Sequence, residues 1–180
     1  TMSSMRRLVI DIGTNSVLAL LADVSGDDPA VVSDRRMTTR LGEGLAGSGR
    51  LSPEAMMRTA DAVSMLMEDI VCDSVILIGT EALRTASNAS EFTDLLHRQV
   101  KQKLTILTGL KEAELTYLGA LHRLNLISKR VLIVDVGGGS SEFILGKMEG
   151  IIDICSIPIG ALRLRESPVE DSLIHYYDRA

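Results

Sequence analysis

The chain has 180 residues, 46 % of them hydrophobic, and a formal net charge of −5, which is enough apolar material for one domain or one and a half. Aromatic residues make up 3 % and tryptophan is absent, so the core is aliphatic and methionine-rich, and base stacking on an aromatic platform is a poor candidate for the main activity. The acidic balance argues against a general nucleic-acid surface or an anionic-membrane surface and leaves room for a locally positive phosphate site.

Leu8–Ile12 reads as a first strand, and the apolar run inside Ser16–Val24 as a second. Ser25-Gly26-Asp27-Asp28-Pro29 is a turn, and Ala30–Thr39 is a third strand, so the chain opens with an antiparallel meander. Arg40–Arg50, with four glycines, is a loop. Ser52 and Pro53 then open a helix as N-cap and first helical residue. Met56, Ala60, Val63, Met67 and Ile70 repeat at helical spacing and carry it to about Val71. Ser74–Ile78 is a strand and Ala82–Thr85 a short helical turn. Asn88 or Ser90 caps a helix to about Lys103, with Phe92, Leu95, Leu96 and Val100 inward. Leu104–Leu107 is a strand, Gly109 breaks the chain, and Lys111–Leu124 is helical. The pattern then restarts with strands at Arg130–Val136, Ser141–Lys147 and Gly150–Ile157, followed by a helix from Ala161. The reading is an α/β chain: a complete β-β-β-α-β-α-β-α unit with a mixed five-stranded sheet over 1–127, and the opening meander of a second, similar domain over 128–180, with the boundary near Asn125–Lys129.

Cys72 and Cys155 have no partner at metal-ligand spacing and read as reduced thiols. Asp11, Gly13, Asn15 and Asp23 interrupt the apolar stretch after Arg6 and Arg7, which is too polar for a membrane span. A cytoplasmic location is therefore expected.

One phrase occurs twice: LVIDIGTNS at Leu8–Ser16 and LIVDVGGGS at Leu132–Ser140. The copies match in step, Asp11 with Asp135, Gly13 with Gly137, Ser16 with Ser140. A strand, a carboxylate and a glycine-containing bend leave backbone N–H groups for an anion and an acid for a divalent cation. Two copies imply two half-sites facing across a cleft. Gly137-Gly138-Gly139 opens a strand, not a helix, and no Gly-Lys-Ser/Thr follows it, which excludes a Walker loop and a dinucleotide fingerprint.

Duplicated units of this kind resemble the superfamily of actin, the Hsp70 ATPase and the sugar and acetate kinases, whose domains are ribonuclease H-like. IDIGTNS, RLGEGL, GTEALRTASN, LTGLKEAELTYLG, VDVGGGSSE and IPIGALRL, in that order, closely resemble the exopolyphosphatase and guanosine pentaphosphate phosphohydrolase family. The resemblance implies release of a terminal phosphate from inorganic polyphosphate or guanosine pentaphosphate, with Mg²⁺. It assigns Asp11, Gly13, Asn15 and Ser16 to a first phosphate loop and Asp135, Gly137, Gly138, Gly139, Ser140 and Ser141 to a second. Arg84 and Asn88 match polar groups lining the cleft. Glu112 matches the proposed catalytic glutamate, and Glu142 the acid after the second loop.

The chemistry suits these residue types. Glu112, near a helix N-terminus, can orient the attacking water or accept its proton. Asp135, Glu142 or Asp11 can hold Mg²⁺, partly through waters. Arg84 offers a planar donor fork to phosphate. Lys111 replaces an acid usual in the family, and is expected to favour ionised Glu112 and add positive charge near substrate.

Plainer readings compete: Glu112 as an ordinary first-turn acid, Arg84 at the surface, Glu142 facing solvent, Asn15 favouring the turn, the Arg40–Gly49 loop as a mere connection. Arg35 and Arg36 read as a solvated face, and His97, His122 and His175 share no metal spacing. An ATP-dependent small-molecule kinase and a non-catalytic phosphate or nucleotide sensor are the alternative functions. No nucleic-acid or membrane partner is expected, and the exposed meander edge can pair with another copy in a homodimer.

Overall fold

The computed structural model describes residues 5–26, 28–123, 130–147 and 149–166. The expected domain boundary at Asn125–Lys129, and His175, lie outside them. The chain divides into two compact units, Thr1–Ile106 and Leu107–Ala180.

The first unit holds β1 (Arg6–Ile12), β2 (Ser16–Asp23), β3 (Ala30–Thr38), α1 (Leu45–Ser48), α2 (Pro53–Met67), β4 (Ser74–Gly79), α3 (Glu81–Thr85), α4 (Ala89–Val100) and β5 (Leu104–Ile106). Its strands lie in the order β3-β2-β1-β4-β5. The first three pair antiparallel, while β4 runs parallel to both β1 and β5. This is the mixed five-stranded, ribonuclease H-like sheet that the pattern predicts. The period of two explains its faces. Leu8, Ile10, Ile12, Val17, Ala19 and Leu21 are buried against Met56, Ala60, Val63 and Leu66 of α2 and Phe92 and Leu96 of α4. On the opposite face stand Val9, Asp11, Leu18 and Leu20, with Leu18 41 % exposed.

Ser52 Oγ accepts from the Ala55 N–H at 3.1 Å, and Pro53 opens α2, as its residues require. The helix ends at Met67, short of Val71, because Glu68 is extended and Asp69 takes φ 61°. In the same way α4 stops at Val100, before Lys103, because Lys101 sits at φ 57°. Asn88 occupies the N-cap position of α4, yet its side chain makes no capping bond. The glycine-rich loop contains the one-turn helix α1.

The second unit holds α5 (Gly109–Arg123), β6 (Val131–Val136), β7 (Ser141–Lys147), β8 (Gly150–Ile157) and α6 (Ala161–Glu166). The three strands form an antiparallel sheet in sequence order. The sequence pattern counts α5 with the first domain; in the structure it packs on this second sheet. Ala113 and Tyr117 are one helical turn apart, and both are buried against Ile144, with Leu121, Ile133, Ile151 and Ile154 around them. The Tyr117 hydroxyl donates to the Lys147 carbonyl, which fixes the helix across the sheet. Among the described residues no helix is long and apolar enough to cross a membrane, and Cys72 and Cys155 are free thiols.

A Cβ on Gly146 would stand 2.2 Å from the Tyr117 hydroxyl, which is buried, whereas one on Gly119 of α5 meets nothing. Gly146→Ala is expected to destabilise the chain by about 1–3 kcal/mol. Gly119→Ala should stabilise it by about 1 kcal/mol, because alanine is the better helix former. Opposite shifts of the urea midpoint are the check.

Candidate phosphate-binding site

Each copy of the repeated phrase folds into the same bend. The Gly13 N–H donates to the Ser16 carbonyl at 3.0 Å, and the Gly137 N–H donates to the Ser140 carbonyl at 2.9 Å. In both, a Cβ on the glycine would lie 3.1 Å from that carbonyl oxygen, so the bend closes most easily around glycine. Closure leaves two inner N–H groups per bend without an acceptor among the described residues: Thr14 and Asn15 in the first, Gly138 and Gly139 in the second. Successive N–H groups of this kind form a fixed positive concavity for an anion.

Each bend is held from outside by a later segment of its own unit. In the first, the N–H groups of Thr39 and Arg40 donate to the Asn15 carbonyl at 3.0 and 2.9 Å, and that of Gly42 to the Thr14 carbonyl at 2.9 Å. The RLGEGL segment is therefore a brace, not a mere connection. Arg40 adopts φ 49° to make this turn, and Arg58 Nε grips the Thr39 carbonyl at 2.6 Å. The Thr14 hydroxyl donates to Glu81 Oε2 at 3.0 Å, both residues being buried. In the second unit the N–H groups of Ala161 and Leu162 donate to the Gly137 and Gly138 carbonyls at 2.9 and 2.8 Å. A Cβ on Gly160 would fall 2.5 Å from the Gly138 backbone, and the Ser141 hydroxyl donates to the Ile159 carbonyl at 2.5 Å. The IPIGALRL segment is thus the counterpart of RLGEGL.

The acids separate the two copies. Asp135 pairs across the ladder with Glu142, and the corresponding partner of Asp11 is Leu18. Glu142 is 4 % exposed, so it does not face solvent. Its Oε1 accepts from the hydroxyls of Ser140 and Ser156 at 2.7 and 2.9 Å. Asp135 is half-buried, and Thr116 of α5 donates to its Oδ2 at 3.4 Å. Glu112, half-buried, precedes Thr116 by one helical turn and so shares its side of α5. Thr108 Oγ1 accepts from the Lys111 N–H at 3.2 Å and caps the helix. The Lys111 ammonium pairs with Glu114 Oε2 at 2.9 Å on the exposed side of the helix.

Arg84 and Asn88 both follow β4, on α3 and at the N-cap position of α4. Asn88 is 3 % exposed and clasps Leu51, accepting from its N–H at 2.8 Å and donating to its carbonyl at 3.0 Å. In this structure its amide braces the glycine-rich loop. Arg84 is half-buried on α3, whose first residues adjoin the first bend: the Thr80 N–H donates to the Ile12 carbonyl at 3.3 Å. Arg58, which helps to hold that bend, reads in the sequence as an ordinary helical charge, and Glu81 lies within the GTEALRTASN motif without a role assigned to it.

Paired bends at strand ends, each braced by its own unit, stand at the ends of two sheets that open with the same antiparallel meander. Residues 19–178 match the model of the Ppx/GppA phosphatase family, and the chain belongs to that family. It is 34 % identical over 178 residues to exopolyphosphatase 2 of Mycobacterium tuberculosis, covering 92 % of this chain and 55 % of that protein. It is 35 % identical over 166 residues to a guanosine-5'-triphosphate,3'-diphosphate pyrophosphatase of Photobacterium profundum, covering 90 % and 33 %. The crystal structure of an exopolyphosphatase from Cytophaga hutchinsonii superposes with a TM-score of 0.86 at 29 % identity, covering 97 % of this chain and 60 % of that one. The chain thus spans about half the length, or less, of the curated relatives it matches.

Asn88→Ala is expected to leave the Leu51 N–H and carbonyl without partners in a buried place, at about 1–3 kcal/mol for each group. A fall of that size in unfolding free energy, read from urea titration, is the check.

Proposed function

We propose that the chain carries phosphohydrolase chemistry, releasing terminal phosphate from inorganic polyphosphate or guanosine pentaphosphate. The observation that carries this is the pair of matching bends, each with two N–H groups that no described acceptor takes. Each bend by itself offers a pair of N–H groups to phosphoryl oxygens. The family membership and the names of its relatives support the same reading.

In the second unit, the N–H groups of Gly138 and Gly139 bind oxygens of the phosphoryl group to be released and share its charge as the bond breaks. Glu112, at the start of α5, orients a water toward the terminal phosphorus and accepts its proton. The bond from phosphorus to the bridging oxygen breaks, giving orthophosphate and a chain one unit shorter. Asp135 and Glu142 fit a divalent cation. They lie directly opposite one another, where like charges repel, and among the described residues Glu142 Oε2 receives no hydrogen bond. Among the described residues no group of three or more potential ligands gathers. Two carboxylates completed by waters and phosphate oxygens are the donor set Mg²⁺ favours, and it would neutralise phosphate charge when bound there.

The test is orthophosphate release from polyphosphate with Mg²⁺, in the chain and in any longer product containing it. Glu112→Gln keeps the shape and removes the proton acceptor, and a loss of about 10²–10⁴-fold in rate is expected. Release at an unchanged rate would remove Glu112 from the mechanism. Absence of release from every product would overturn the hydrolase reading.

A further inference from the structure

The first bend has a feature that the second lacks. Ser16 Oγ accepts from Asn15 Nδ2 at 3.3 Å and from Arg36 Nη2 at 3.1 Å. Two accepted bonds use both lone pairs of a hydroxyl, so its own proton must point elsewhere. No acceptor for it exists among the described residues. In the second bend the equivalent proton is used, because Ser140 donates to Glu142. Beside Asp11, four donors therefore gather at the first bend: the Thr14 and Asn15 N–H groups, the Ser16 hydroxyl and the Arg36 guanidinium.

The sheet register sets Arg36 in this position. Leu18 pairs with Asp11 on one side and with Arg36 on the other. The three stand in one rank on the face away from α2 and α4, the rank next to Ser16. Arg36 is exposed and, among the described residues, pairs with no carboxylate. One bond to a hydroxyl leaves most of its five donors unengaged. Arg35, equally exposed, pairs with Ala19 and projects from the opposite face. Of two adjacent arginines, the strand delivers one to the bend. In the second sheet the matching rank is Asp135, Glu142 and Ser156, without a cation.

We propose that Arg36 is a phosphate-binding residue, which, with the Ser16 hydroxyl, takes oxygens of a polyphosphate chain held at the first bend. This rests on the phosphohydrolase reading and adds to it the cation that selects for multiply charged phosphate. The fork of a guanidinium matches phosphoryl oxygens in two directions, and charge-assisted bonds of this type are the strong ones.

The test is calorimetric titration of sodium tripolyphosphate into the wild-type chain, Arg36→Ala, Arg36→Lys and Arg35→Ala. The two alanine variants lose the same charge from neighbouring residues, so they differ only in position. Arg36→Ala should weaken binding by about tenfold, the scale of one charge-assisted bond, and Arg35→Ala by less than about twofold. Arg36→Lys should recover part of the loss, since it keeps the charge and not the fork. Equal weakening by Arg35→Ala and Arg36→Ala, or no weakening by Arg36→Ala, overturns the assignment while wild-type binding upholds the anion site. A wild-type chain that binds no tripolyphosphate overturns the assignment and the reading beneath it.

Discussion

A single hydrogen bond, made twice, organises the functional part of this chain. When Gly13 donates to the Ser16 carbonyl and Gly137 to the Ser140 carbonyl, the backbone must double back within four residues. The two residues between then present their N–H groups outward, with nothing from the described protein to receive them. Backbone donors left in this way cost free energy unless water or a ligand meets them. The bend is thus poised for an anion by the same geometry that joins one strand to the next. Antiparallel pairing of β1 with β2, and of β6 with β7, fixes the two ends of each bend.

Around this common element the two units diverge. Across the first sheet the rank at the bend reads Asp11, Leu18, Arg36; across the second it reads Asp135, Glu142, Ser156. The first combines one acid with a cation. The second concentrates two acids and ties one of them to two serine hydroxyls. Under the proposed function, this difference in charge assigns phosphate to the first bend and a cation beside phosphate to the second. The hydroxyl of the matched serine shows the same division, since Ser140 donates to Glu142, while Ser16 receives two donors.

Rigidity comes from a further layer of contacts in each unit. RLGEGL and IPIGALRL return to the bends and donate to their carbonyls, and glycines at 42 and 160 allow the approach, because a Cβ at either would collide with the bend. Glu81, Arg58 and Asn88 extend the bracing through Thr14, Thr39 and Leu51. A binding group held in this way loses little freedom on meeting its ligand. In the second unit, α5 is locked by Tyr117 over Gly146, which in turn sets where Glu112 begins its turn.

Much was legible in the chain itself. Alternation in β1 and β2, helical spacing in α2 and the Ser52-Pro53 start gave their elements, because each depends on neighbours within a few residues. The repeated Asp–Gly phrase gave both bends for the same reason. Helix ends at Met67 and Val100 were missed, since single residues at positive φ, Asp69 and Lys101, carry no mark in composition. The site was legible in its residue types and not in their partners. Nothing in the letters told that Asn88 would clasp Leu51, that Lys111 would turn to Glu114, that Glu142 would be buried between two serines, or that Arg36 and not Arg35 would reach Ser16. Those outcomes depend on strand register and on which helix crosses which sheet, contacts between residues far apart in sequence, and only the folded chain brings them together.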